Sequence, residues 1–119
     1  MPEQASRQPV RQEWPGFLAV IAEAEQGNPV SIEVMGQAGN EPEAVAVPLA
    51  EFSYSEREDA VIVAVDGGSD GPHRHVVIHP WKIQFDPPSP FTARTIDIEG
   101  PDGAHTLVTL HNRPMPSRS

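Results

Sequence analysis

The sequence predicts an α+β domain, mostly β: an N-terminal helix followed by a bent antiparallel sheet or small barrel of five to six strands, the Sm-like or SH3-like plan. Three observations predict it. Apolar residues recur at helical spacing before Gly27. Beyond Gly27 they alternate at strand spacing as far as Leu110. Clusters of Gly, Pro, Asp and Ser, the common turn formers, separate the runs. A chain of 119 residues is long enough for one core without staples. The polar, proline-bearing ends divide it into a flexible tail at 1–12, a single globular domain at 13–112 and a second flexible tail at 113–119.

The helix comes first. Pro15 suits its opening turn, where a missing N–H costs nothing. Trp14, Phe17, Leu18, Ile21 and Ala22 follow the i, i+3, i+4, i+7 spacing of one buried stripe. Glu13, Glu23, Glu25 and Gln26 are expected to face water. Gly27 supplies a left-handed terminator and Pro29 blocks any continuation.

Strands follow. Residues 30–35 place Val30, Ile32 and Val34 on one face. Residues 36–42 read as a loop. Residues 44–49 place Val45, Val47 and Leu49 together, and Pro48 signals an edge or a bulge. Phe52 and Tyr54 extend this strand after a bend at Ala50 and Glu51. The acidic run 55–60 turns into a strand at 60–65, apolar on both faces and therefore the expected central strand. Residues 66–72 are a flexible loop. A fourth strand, 75–78, is expected to run on through Ile83 and Phe85. Residues 87–90, Pro-Pro-Ser-Pro, make a rigid linker, and residues 94–98 and 105–110 close the domain as a hairpin.

Composition excludes several functions. Seventeen acidic against eight basic residues give a net charge of -9, which repels nucleic acid and anionic lipid. There is no cysteine, hence no disulfide scaffold, thiol nucleophile or thiolate metal site. The opening residues carry no apolar signal segment, and the longest apolar run, 60–65, is far short of the roughly 20 residues that span a bilayer. A soluble, cytoplasmic protein without a membrane or nucleic-acid partner is expected.

His73, His75 and His79 are the candidate metal ligands, since alternate residues of a strand share a face. Pro72 and Pro80 bound the run and are expected to turn His73 and His79 away from the face of His75, so no metal or other cofactor is expected. The loop 66–71 fails as a calcium site because Gly68 and Val77 stand where oxygen ligands are needed. Ser53, Ser55, Ser69, the acids around 56–66 and His79 supply hydrolase residue types, but no nucleophile elbow and no phosphate loop is present. Lys82, the single lysine, lies in an expected strand. Trp14 and Trp81 are both expected to pack in the core, with Phe17, Leu18 and Val34 or Val63 around Trp14; the alternative for Trp81, which follows a proline at a strand bend, is a partly exposed aromatic that binds a partner.

Arg11, Glu13, Trp14, Pro15 and Phe17, then Gly27 and the strand at 30–34, open the chain in a recognisable order. His75 and Pro80 follow, and Ile96, Ile98, Asp102, Gly103 and Leu107 mark the closing hairpin. This set resembles a bacterial family of small uncharacterised proteins, domain of unknown function 5335, over residues 11–111. The resemblance implies no activity, cofactor or catalytic residue. The proline-rich 87–90 stretch, His73 and His79 depart from the family pattern.

The expectation is a small binding or regulatory module acting through protein contacts, with an unknown partner or with a second copy through a strand edge. The alternatives are a small metal-dependent or hydrolytic enzyme using His75 and His79, and an Sm-like nucleic-acid binder.

Overall fold

A computed structural model describes residues 10–36, 39–67 and 72–113. Most of the two expected tails, 1–9 and 114–119, and most of the expected loop at 66–72 lie outside the described residues. A short 3-10 turn, Arg11–Glu13, leads directly into α1, Trp14–Glu25. Seven strands follow among the described residues: β1 Pro29–Gly36, β2 Gly39–Ser55, β3 Ala60–Asp66, β4 Pro72–Ile78, β5 Lys82–Asp86, β6 Thr95–Glu99 and β7 His105–Leu110. They form one antiparallel sheet in the order β4-β3-β2-β1-β7-β6-β5.

The helix buries Trp14, Leu18 and Ile21, with Phe17 and Ala22 partly covered beside them. Trp14 meets Tyr54 edge-on with ring centroids 5.2 Å apart, and Phe17 meets Phe85 at the same separation. Glu25 does not face water. It lies four residues beyond Ile21 on the apolar stripe, and it is buried against Arg113, whose Nε donates to Glu25 Oε2 at 2.7 Å. Arg113 Nη1 also donates to the carbonyls of Pro90 and Ala93 at 2.8 and 2.9 Å. Arg113 therefore belongs to the fold and not to a tail, and so does Arg11 at the other end. Gly27 ends the helix with φ of 84° as expected.

Two strands differ from expectation for backbone reasons. Residues 39–42 are strand, because Asn40, Glu41 and Pro42 pair with Met35, Val34 and Glu33. That pairing needs no apolar side chain. Within β2, Val45 and Ala46 are an extra pair set against Ser31, and Ala46 takes φ of 51°. Ser31 Oγ accepts the Ala46 N–H at 2.9 Å. The bulge turns Val45 outward, away from the partly buried Val47 and the buried Leu49.

The long β2 serves two parts of the sheet. Up to Pro48 it pairs with β1; from Leu49 it pairs with β3. Pro48, with no N–H to give, stands at the changeover, and the register slips by one residue at Ala50. The expected bend is there.

The expected continuous fourth strand is divided. His79 has φ of 55° and Pro80 follows, so β4 ends at Ile78 and β5 starts as the other edge strand of the sheet, beside β6. A flat sheet of seven strands holds its edges about 29 Å apart at the usual spacing. The link through His79, Pro80 and Trp81 spans at most roughly 14 Å. The sheet must therefore fold over. Phe52, Val61 and Val63 on one part meet Ile32, Ile83, Phe85, Ile96 and Val108 on the other in a single core. The two edge strands, β4 and β5, do not pair with each other, so the sheet remains open.

Trp14→Ala is expected to lower stability by about 3–5 kcal/mol, the usual cost of emptying a large aromatic site. An unchanged denaturant midpoint would contradict its core role. Arg113→Ala leaves the Glu25 carboxylate buried without its cation and is expected to cost about 3–5 kcal/mol. Glu25→Gln should cost less in the same denaturation experiment, because its amide oxygen still accepts from Arg113.

Candidate functional site

Side chains from four separate segments meet at the corner where β4 gives way to β5. Arg11 comes from the 3-10 turn, Tyr54 from the end of β2, Asp59 from the β2–β3 turn and His79 from the corner itself. Asp59 has φ of 51° and His79 of 55°, and the His79 N–H donates to the Asp59 carbonyl at 2.7 Å. The two left-handed residues thus face each other just past the Ala60–Ile78 pair of the β3–β4 ladder. Asp and His are among the side chains that tolerate this conformation best.

Asp59 is the hub. Its Oδ1 accepts the Tyr54 hydroxyl at 2.5 Å and Arg11 Nη1 at 2.8 Å. Its Oδ2 accepts His79 Nδ1 at 3.1 Å. An ionised carboxylate only accepts, so Nδ1 carries the proton and Nε2 is the ring atom left for other contacts. Arg11 Nη1 also donates to Tyr54 Oη at 3.1 Å, and Nη2 donates to the Pro80 carbonyl at 3.2 Å. The same guanidinium lies 4.5 Å above the Trp14 ring. The Tyr54 hydrogen bond does most to hold Asp59 below its usual value, followed by His79; the Arg11 charge adds to both, while burial opposes them. Burial, then the bond to Asp59, pushes the Tyr54 hydroxyl up. Arg11 is raised, first by Tyr54.

The candidate ligands His73, His75 and His79 reach different surroundings. Pro72 begins β4 and does not break it, because an edge strand tolerates a missing N–H. His73 therefore stays in register and keeps the face of His75, contrary to expectation; they pair with Val65 and Val63. His75 Nε2 lies 3.3 Å from Thr106 Oγ1. His79 lies past the strand end, on Asp59. Among the described residues no three His, Asp or Glu side chains gather as a metal set. Ser53 donates to Glu51 at 3.0 Å and Ser55 accepts the Glu58 N–H at 3.2 Å; Ser69 and the rest of the candidate calcium loop from Gly68 lie outside the described residues.

Beside the corner the surface is apolar. Trp81 is 65% exposed, which overturns its expected core role: its N–H pairs with the Glu99 carbonyl, and its side chain is left outside. Ile78 is 50% and Val76 39% exposed, both on the open-edge strand β4. A cleft of about 350 Å³ adjoins them, bounded by His75, Val76, Val77 and Ile78 on one side. Gly100, Pro101, Asp102 and Ala104 of the β6–β7 turn, with Val34 and Thr106, form the other. A second groove, of about 440 Å³, separates Ala19, Ala22 and Glu23 of α1 from Glu51 and Phe52 of β2.

Sequence reasoning missed Arg11, Tyr54 and Asp59. Only Tyr54 and Asp59, five residues apart around a turn, leave a local trace; Arg11 and His79 arrive from distant positions.

A family of unknown function, DUF5335, matches residues 5–117, and the chain belongs to it. No curated protein and no solved structure matches the chain. No helix among the described residues is long and apolar enough to cross a membrane.

A carboxylate depressed in the folded state stabilises the fold fully above its unfolded value of about 3.9, and this is lost as pH falls through the lower folded value. The stability difference between the wild type and Asp59→Asn, measured by denaturation, should shrink as pH falls from about 5 to 3. A difference that stays constant over that range would sink the assignment.

Proposed function

We propose that this DUF5335 member is a protein-interaction module whose contact strip is the open edge of β4 and the corner beyond it. The observation that carries the reading is the run Val76, Ile78, Trp81: three exposed apolar side chains beside a strand edge that no other strand of the described residues pairs with. Tryptophan is among the side chains most enriched at binding hot spots. Its support here is the Asp59 cluster, which fixes the corner through Arg11, Tyr54 and His79. A preformed strip loses less entropy on binding than a mobile one.

An enzyme built on His75 and His79 has less support, because the two rings engage different partners, Thr106 and Asp59. The net charge of -9 opposes a nucleic-acid role. The lack of cysteine supports a cytoplasmic setting. A bent sheet on an Sm-like or SH3-like plan would work in the same way, through edges and loops.

A photo-crosslinking residue in place of Trp81, expressed in the host cell, is expected to give a discrete adduct with another protein. Phe91, 73% exposed at the opposite end of β5, is the control position. The reading fails if position 81 gives no more adduct than position 91.

A further inference from the structure

The groove of about 440 Å³ between α1 and β2 contains a second open strand edge. Ala50, Glu51, Phe52, Ser53 and Tyr54 all border it. Successive residues of a strand point to opposite faces, so the groove abuts the edge of β2 and not one of its faces. β1 leaves that edge at Pro48, and β3 holds the opposite one. Its last backbone partners are at Leu49, which accepts the Gly27 N–H at 2.8 Å and donates to the Asn28 carbonyl at 2.9 Å. From Ala50 to Tyr54 no strand among the described residues pairs with it.

The other wall is one face of α1, where Pro15, Ala19, Ala22, Glu23 and Gln26 recur at helical spacing. The helix touches β2 at the two ends of the groove, through Gly27 at Leu49 and through the Trp14 ring on Tyr54. Between those ends the alanine side chains leave the walls apart. From Pro15 to Gln26 is about 16 Å of helix. About five extended residues have that length.

Charge narrows the occupant. Glu23 and Glu51, both exposed, stand on the two walls, and no Arg, Lys or His lines the groove. Among the described residues neither carboxylate has an ion-pair partner. Glu51 accepts the Ser53 hydroxyl at 3.0 Å, which puts these two side chains on one face of β2 and the buried Phe52 on the other.

We infer that this groove takes an extended segment of a partner protein, in which Lys or Arg alternates with small apolar residues. It is a second interaction surface, since Val76, Ile78 and Trp81 do not line it. The segment adds to the edge of β2 between Ala50 and Tyr54. Residues directly opposite each other on neighbouring strands share a face. Its basic residues therefore lie beside Glu51, with Glu23 across the groove, and its apolar residues face Ala19 and Ala22. No exposed aromatic lines the groove, so main-chain hydrogen bonds and charge supply the affinity.

The probe is a random linear peptide library displayed on phage and panned against the full-length protein. Peptides that alternate Lys or Arg with apolar residues should be enriched, and synthetic copies should bind in fluorescence anisotropy. N-methylation of one alternate set of peptide bonds should weaken binding at least tenfold, and of the other set far less. Glu51→Lys should also weaken it at least tenfold. So should Ala19→Phe, which fills the groove from an exposed helix position. Asp86→Lys makes the same change of net charge at an exposed site on β5 and should leave binding unchanged. The inference is overturned if no such peptide is enriched, or if binding ignores N-methylation or Glu51→Lys. An equal loss with Asp86→Lys also overturns it, because net charge alone then explains the binding. So does a dimer in analytical ultracentrifugation that is lost on Ala19→Phe, since the occupant is then a second copy. Crosslinking at position 81 reads the other surface and is independent of these outcomes.

Discussion

Three residues join the two edges of a seven-stranded sheet, and the rest of the architecture follows from that tether. The link is about half as long as a flat sheet would need. β2 takes up the bend by leaving β1 at Pro48 and joining β3 at Leu49. The two parts then enclose one apolar core, which α1 covers along β2. Edge strands that meet at one end without pairing leave a cleft farther along, between β4 and the β6–β7 turn.

Polar groups secure the two places where the chain makes this closure. Glu25 and Arg113 tie the end of α1 to the β5–β6 connection through a buried ion pair and two carbonyl contacts. Burying such charges brings little net stability, but it penalises any arrangement that separates them. At the corner, Asp59 and His79 adopt left-handed backbone conformations that cost on the order of 1 kcal/mol each. Their mutual hydrogen bonds, with Arg11 and Tyr54, offset that cost. The corner is firm and yet carries an exposed tryptophan.

That combination explains why the functional reading settles on the edge of β4. The second groove, between α1 and β2, has an apolar floor and exposed acidic walls at Glu23 and Glu51, but no anchoring aromatic is exposed there. The β4 side joins an open edge, a cleft and Trp81 in one continuous region. The bend sets the partly buried Val77 beside Gly100, and strand alternation leaves Val76 and Ile78 on the outer face.

Short-range patterns in the sequence determined α1, its Gly27 end, the closing hairpin and most strand positions, because periodicity and turn chemistry are local. They also determined the burial of Trp14, which sits on the stripe. The tertiary structure alone decided the rest. Glu25 is on the same stripe as Ile21, but its burial depends on a cation 88 residues away. Val45 points outward because of a bulge that requires Ser31 on another strand. Trp81 and Ile83 stand two residues apart, the spacing that shares a face within a strand, but only the second is buried, because β5 begins at Lys82 and Trp81 belongs to the corner before it. Arg11, Tyr54, Asp59 and His79 become a cluster only when the two edges of the sheet are brought together. Such contacts join segments with no local signal in common, and the closure of the sheet is the physical reason they exist.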